Sequence, residues 1–195
     1  MPIRQGLNEF APGRVSRRFA VRGSNIAHWV TPGAQLQGPV ALNDICGNQG
    51  SSAIGRFSYF EQGNIVDIDV YRPSRLTINN RPRDILDTSN SLLSWKTQIV
   101  PSSSALSLML PVRSNWSKLI TGIEFYLHNH GNAIEVRRFA ISAQTSVSQR
   151  NGSSVQRFEN TVAFVDDQDP TVAQPIGLGF AVAVDAICLH LELPD

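Results

Sequence analysis

The chain has 195 residues, of which 42% are apolar, 17% are charged and two are cysteine, and its net charge is +1. A chain of this length can fold around its own hydrophobic core without disulfide or metal cross-links. The longest apolar run, residues 180–184, is far too short to cross a membrane, and the near-zero charge excludes a strongly basic nucleic-acid coat or an acidic solvating tail.

The composition favours strands over helices. There are 16 Val and 15 Ile but only six Glu and two Lys, the long charged residues that usually cover helix surfaces. Ser, Thr, Asn and Gln together number 52, against 33 charged residues. We therefore expect an all-β protein with a neutral, polar surface.

Residues 1–52 show no sustained hydrophobic periodicity and contain four prolines. This pattern predicts an extended N-terminal arm with short strands, which makes many of its contacts with neighbouring subunits. Five arginines at its start are expected to pair with acidic or carbonyl groups of those neighbours. They are Arg4, Arg14, Arg17, Arg18 and Arg22.

Residues 53–195 are predicted to form the β domain. Val66, Ile68 and Val70 alternate with polar side chains after a turn at residues 61–64, which indicates a β-hairpin with one solvated side. Residues 84–96 are the best helix candidate, and at most about three turns are expected there because their polar middle is unfavourable for a helix.

A second hairpin is predicted from strands at residues 119–127 and 133–146. His128 and His130 would then lie at its tip. Two histidines two residues apart, with Glu124 nearby, could begin a metal site, but ligation needs further ligands in fixed geometry. We therefore expect solvated loop histidines and no metal.

Residues 178–193 form the longest apolar alternating segment. Leu189 shares parity with neighbouring aliphatic residues, whereas His190 has the opposite parity and is expected to face outward. A change of phase at Asp185 predicts a bulge or a crossing between sheets, because a slip of one residue flips every side chain. We expect this strand to lie centrally in a sheet, with Leu189 in the core.

Nine or ten short strands separated by turns predict an antiparallel β-sandwich of jelly-roll type. The extended arm and at most one short helix complete the expected fold. There is no internal repeat and no flexible interdomain linker.

No sequence motif indicates catalysis. The chain has no Gly-x-Ser-x-Gly elbow, no Cys-x-x-Cys pair and no glycine-rich phosphate loop before a helix. We expect a protein that is not an enzyme and has no cofactor. The first residues lack the apolar segment of a classical signal peptide, so synthesis in the cytoplasm is expected.

Three tryptophans are candidates for a ligand site or a subunit interface: Trp29, Trp95 and Trp116. An exposed indole beside polar side chains can stack on a sugar face, whereas a buried indole closes a core or an interface. The sequence leaves both interpretations open.

Two resemblances bear on function. Residues 118–127 contain an I-x-G-I-x-F pattern and resemble a strand of discoidin-type and galactose-binding sandwiches. More generally, the polar start, the neutral Ser/Asn/Gln surface, the long arm and the aliphatic final strand are similar to virion proteins of tailed bacteriophages, such as capsid decoration, neck and tail proteins.

The virion resemblance implies a non-enzymatic structural protein that assembles with copies of itself and with other virion proteins in the particle. The alternative is a carbohydrate-binding β-sandwich module, whose partner would be a glycan. Neither nucleic acid nor a membrane is an expected partner.

Overall fold

A computed structural model describes residues 1–19, 26–111, 113–116, 118–167, 169 and 171–192. It is mostly β, as the composition predicts. Two short α-helices, α1 (Ile3–Glu9) and α2 (Leu42–Cys46), lie in the described part, one more than expected, and single 3-10 turns lie at Ala34–Leu36 and His128–His130. The strands are β1 (His28–Trp29), β2 (Val40–Ala41), β3 (Ser51–Glu61), β4 (Asn64–Pro73), β5 (Asn79–Asn80), β6 (Asn90–Val100), β7 (Leu106–Leu108), β8 (Ile120–Tyr126), β9 (Ile134–Asn151), β10 (Ser154–Val165), β11 (Ile176–Val184) and β12 (Ala186–Leu191).

The chain divides into two compact units. The first unit combines residues 1–96 with residues 138–180, and the second combines residues 97–137 with the described part of residues 181–195. The predicted boundary between residues 52 and 53 does not coincide with this division. Strand β9 passes from one unit to the other between Arg137 and Arg138, where the sequence shows a change of phase.

A seven-stranded sheet is the main feature of the first unit. Its strand order is β2-β10-β9-β11-β4-β3, with β6 also paired to β9. The hairpins β3–β4 and β9–β10 are antiparallel, but β2 pairs with β10 and β4 pairs with β11 in parallel. The sheet is therefore mixed, whereas a purely antiparallel arrangement was expected.

The first predicted hairpin is confirmed. Phe57 pairs with Ile68 across β3 and β4, and Ile68 and Val70 are buried as the alternation predicts. Gln62 and Gly63 connect the strands with φ angles of 48° and 86°. Positive φ at both central turn residues matches the right-handed twist of the flanking strands, which explains why so short a turn suffices.

The helix predicted at residues 84–96 is wrong, because strand β6 begins at Asn90 in this described segment. Ser89 gives the physical reason. Its hydroxyl accepts a hydrogen bond from the backbone amide of Ser148 at 3.0 Å and donates one to the Ser148 carbonyl at 3.4 Å. Such side chain-to-backbone bonds compete with helix formation.

Parts of residues 1–52 are packed into the core of the first unit, in the segment where the sequence predicts an extended arm. Leu7 of α1, Val40 of β2 and Ile45 of α2 belong to the same buried cluster as Val162 and Phe164 of β10. Each of these elements is too short to show a hydrophobic period. The buried residues of this segment are therefore spread over several short elements, and a search for hydrophobic periodicity does not detect them.

A separate three-stranded antiparallel sheet lies in the second unit, in the order β12-β8-β7. Strand β8 pairs with β12 on one side and with β7 on the other, whereas β9 belongs to the large sheet. The predicted hairpin between residues 119–127 and 133–146 is therefore wrong. The loop after β8 is closed by the buried side chain of Asn132, which accepts a bond from the Leu127 amide at 2.9 Å and donates one to the Ser104 carbonyl at 2.6 Å.

The C-terminal segment crosses between sheets at Asp185, as predicted. Strand β11, before this residue, lies between β9 and β4 in the large sheet, whereas β12, after it, is an outer strand of the small sheet. The prediction of a central position is correct for β11 and wrong for β12.

Within the described part of the chain, each helix falls short of the length and apolarity that a membrane crossing requires.

Candidate functional site

The three-stranded sheet carries apolar side chains on one face. Residues paired across antiparallel strands point to the same side of a sheet. Phe125 of β8 pairs with Ile187 and Leu106, and Ile123 pairs with Leu189 and Leu108. Leu191 lies beyond a register shift that follows His190, and it adds one more exposed leucine at the end of β12. We call this set the apolar face: Leu106, Leu108, Ile123, Phe125, Ile187, Leu189 and Leu191.

The apolar face is open to solvent. Ile123 and Phe125, on the middle strand, are partly buried, and the outer side chains are largely exposed. Their exposed fractions are 43% for Leu106, 52% for Leu108, 64% for Ile187, 50% for Leu189 and 58% for Leu191. Together these five expose about 500 Å² of side chain, the size of the largest apolar patch on a typical monomer, which is often functional.

Both outer strands of this sheet also present a free edge within the described chain. Neither β7 nor β12 pairs with a second strand there. Proteins protect such edges with lysine, proline, inward-pointing charge, very short strands or bulges. Neither Leu106–Leu108 nor Ala186–Leu191 contains a lysine, a proline or an acidic residue, although β7 has only three residues and the register of β12 shifts after His190. An apolar face beside edges without charge or proline is suited to contact with another protein surface.

Leu189 is therefore not the core residue that the sequence predicts. The residues of β12 that share a face are the ones expected, but the face that was expected in the core is exposed to solvent. Alternation states which residues share a face, and only the partner strands decide which face is covered. Cys188 is on the less exposed side of β12, opposite Glu124, although His190 on that side is itself exposed.

The other face of the small sheet is polar. The hydroxyl of the buried Tyr126 donates a hydrogen bond to Glu124 Oε2 at 2.9 Å, and His190 Nε2 lies 3.3 Å from the same oxygen. These two contacts, with Tyr126 the stronger, lower the pKa of Glu124. The carboxylate in turn raises the pKa of Tyr126. Glu124 is thus held as the charged form.

The arginines singled out in residues 1–22 do not form one site. Arg14 donates to the Asn8 carbonyl at 3.2 Å, and Arg17 forms an ion pair with Asp87 of the same chain. Arg4 and Arg18 are exposed. Arg22 lies outside the described residues. Two of the five therefore find within their own chain the partners that were expected on a neighbour.

The three tryptophans have different environments. Trp29 is buried, and Trp95 is half-buried, with its Nε1 donating to Asn8 Oδ1 at 3.0 Å. The guanidinium of Arg138 lies 5.5 Å from the Trp95 ring centroid, in the range of a cation–π contact. Trp116 is 63% exposed. The core interpretation is correct for Trp29, and Trp116 is available to a ligand.

Sequence reasoning missed the apolar face and the polar face behind it. The signal was present, since residues 186–191 alternate strictly between aliphatic and other side chains. Because long aliphatic alternation normally marks a core strand, the sequence predicts that the leucines of this segment face the core, whereas they face solvent. The pairing of β12 with β8 joins residues that are at least 60 positions apart in the chain, and no local pattern shows it.

Comparisons with protein-family models, with curated proteins and with solved structures find no match for this chain. The function is therefore inferred from the geometry.

Proposed function

We propose that this chain is a non-enzymatic assembly protein that associates with copies of itself through the apolar face, as a structural component of a virus particle. The observation that carries the proposal is the exposed apolar face, on a sheet whose two outer edges are unpaired among the residues that the structure describes. Apolar surface of this extent gains free energy when a second surface removes it from water, at roughly 25 cal/mol per Å².

A second copy of the chain is the occupant that the face fits. It carries no charged side chain, so it is chemically complementary to itself, as a twofold interface requires. Two copies packed face to face would bury about 1,000 Å² from the five outer side chains alone, the minimum expected of a specific interface. Ile123 and Phe125 would lie at its centre.

The virion setting is the more specific part of the proposal: a capsid decoration or a neck or tail component of a tailed bacteriophage. It is supported by the resemblance in composition, with a neutral polar surface and few charges. A jelly-roll-type sandwich belongs to the same proposal. Supporting it are the 18-residue strand β9 and the C-terminal segment that changes sheet at Asp185.

Sedimentation velocity over a concentration series tests self-association. The native chain should sediment faster as its concentration rises, and Leu189→Asp should remain monomeric with an unchanged far-ultraviolet spectrum. Val155→Asp is the matched control, since Val155 is an exposed aliphatic residue on β10 of the first unit and should behave as the native chain does. A native chain that is monomeric throughout, or two variants that behave alike, would contradict the proposal.

Mass spectrometry of purified virus particles tests the virion setting separately. A structural component should be present at a fixed, stoichiometric copy number relative to the other coat proteins. Its absence from particles would refute this setting while leaving self-association intact.

The exposure of Trp116 favours one second candidate, the carbohydrate-binding module. A sugar stacked on this indole would change its fluorescence, and Trp116→Ala would abolish binding. The assembly proposal predicts that a broad glycan panel leaves the fluorescence unchanged. A glycan that binds the native chain and not the variant would favour the module.

A further inference from the structure

Three side chains with metal-binding atoms meet on the polar face of the small sheet. Cys188 of β12 pairs directly with Glu124 of β8, and His190 pairs with Gly122, so all three ligand-bearing residues point to the same side. One ligand atom of each, a thiol sulfur, a carboxylate oxygen and an imidazole nitrogen, lies within 4.8 Å of the other two.

The spacing matches a tetrahedral ion. With bonds of about 2.0–2.2 Å to nitrogen and oxygen, the edge of a tetrahedron is about 3.4 Å. His190 Nε2 and Glu124 Oε2 are already 3.3 Å apart. The sulfur of Cys188 lies within 4.8 Å of both of these atoms, and its bond to zinc would be longer, about 2.3 Å.

The surroundings hold two of the ligands in place. The Tyr126 hydroxyl donates to Glu124 Oε2 at 2.9 Å and fixes the carboxylate, as outer-shell groups do around metal ligands. Gly122, opposite His190, has no side chain. A Cβ built there would lie 3.4 Å from the imidazole Cδ2, so glycine leaves the ring room to settle over the sheet.

We propose that Glu124, Cys188 and His190 bind a zinc-class divalent transition-metal ion. A thiolate and an imidazole select this class over calcium and magnesium, which prefer oxygen ligands. Three protein ligands leave the fourth position of a tetrahedron open for water or another donor. This site is not the one considered from the sequence, which combined His128 and His130 with Glu124. The two sites have only Glu124 in common.

This inference does not depend on self-association, since the ligands lie on the face opposite Leu189. The test is titration of the full chain with Co²⁺ and Zn²⁺ under a non-chelating reductant. We expect one equivalent of Co²⁺ to give a thiolate-to-metal charge-transfer band, and Zn²⁺ to displace it. Leu189→Asp should bind in the same proportion.

Ligand variants and matched controls decide the assignment. Cys188→Ser and His190→Gln should each weaken binding at least about tenfold, and Cys188→Ser should also lose the charge-transfer band. Cys46→Ala and His130→Gln remove the other thiol and a nearby loop imidazole, and should bind as the native chain does. X-ray absorption of the zinc-loaded chain should show one sulfur at about 2.3 Å. A native chain without the band, or equal binding by Cys188→Ser, would overturn the proposal.

Discussion

The two cysteines show how differently one residue type behaves in two environments. Cys46 is fully buried at the end of α2, and burial raises the pKa of its thiol to about 12. Cys188 is half-buried on the outer strand β12. Because the thiolate is the reactive form and a reagent must also reach the sulfur, Cys46 is protected in the folded chain.

Thiol labelling at pH 8 with a chelator present should therefore modify one cysteine per folded chain. The variant Cys188→Ser should lose this labelling in the folded chain. Unfolding the same variant in urea should expose Cys46 and restore labelling at one site. Equal labelling rates for the two cysteines in the folded chain would contradict the burial of Cys46.

Asp185 joins the end of β11 to the loop that follows β8. It accepts a bond from the His128 amide at 2.7 Å and lies 2.9 Å from the His128 ring, and these contacts lower its pKa below the ordinary 3.8. A carboxylate whose pKa is lower in the folded chain than in the unfolded chain stabilises the folded state. This contribution is fully present at pH values above the pKa of the group in the unfolded chain. That contribution is lost as the pH falls through the folded pKa.

The variant Asp185→Asn should accordingly unfold at a lower urea concentration than the native chain at pH 6, by a small margin because both partners are exposed. The difference should shrink as the pH falls below the ordinary pKa of 3.8 and through the lower pKa of the carboxyl in the folded chain. Urea midpoints at pH 6 and pH 2.5 measure it. A difference that stays constant over this range would show that the charge of Asp185 contributes nothing.

At the scale of elements, the approach of β11 to β9 depends on a missing side chain. A Cβ on Gly179 would lie 2.3 Å from the Arg138 carbonyl oxygen and 2.6 Å from Phe139 Cβ, closer than such atoms can come. The two strands must separate to admit it. Backbone cannot yield as a flexible side chain does.

Gly179→Ala should lower the free energy of unfolding by about 3 kcal/mol or more, at the upper end of overpacking effects. Gly6→Ala in α1 is the control, since its Cβ would meet only the flexible end of Met1 at 3.3 Å and Leu76 at 3.6 Å. The helix gains propensity from alanine, so this variant should be neutral or slightly more stable. Urea denaturation of both compares them. Equal free energies would contradict the close approach.

Elements with local signals could be predicted from the sequence. The β3–β4 hairpin carries its own turn and alternation, and the crossing at Asp185 is visible as a change of phase. Short elements such as α1 and β2 could not be predicted, because each buries only a few residues through contacts with distant strands. The helix expected at residues 84–96 failed because the Ser89 side chain bonds the distant Ser148 backbone.

The candidate site shows the same limit. The sequence predicts which residues of β12 share a face, yet the direction of that face depends on β8, which is far away in the chain. The metal ligands were equally hidden. Cys188 and His190 are close in sequence, but only the register of β12 against β8 brings Glu124 opposite Cys188.

At the scale of the whole molecule, the central claim is that a second copy covers the apolar face. The second unit exposes this face on one side of its small sheet, and an exposed apolar patch of about 500 Å² is of the size that is often functional. The first unit also exposes apolar side chains. Val155 and Ile65, which lies opposite the exposed Phe60, provide an internal reference.

Hydroxyl-radical footprinting at low and high protein concentration tests this claim most directly, because it reports the exposure of individual side chains. Oxidation of Leu106, Ile187 and Leu189 should fall several-fold as the chain associates, while Ile65 and Val155 react equally at both concentrations. Unchanged oxidation of the apolar face in an associated sample, or protection of Ile65 and Val155 instead, would contradict the account.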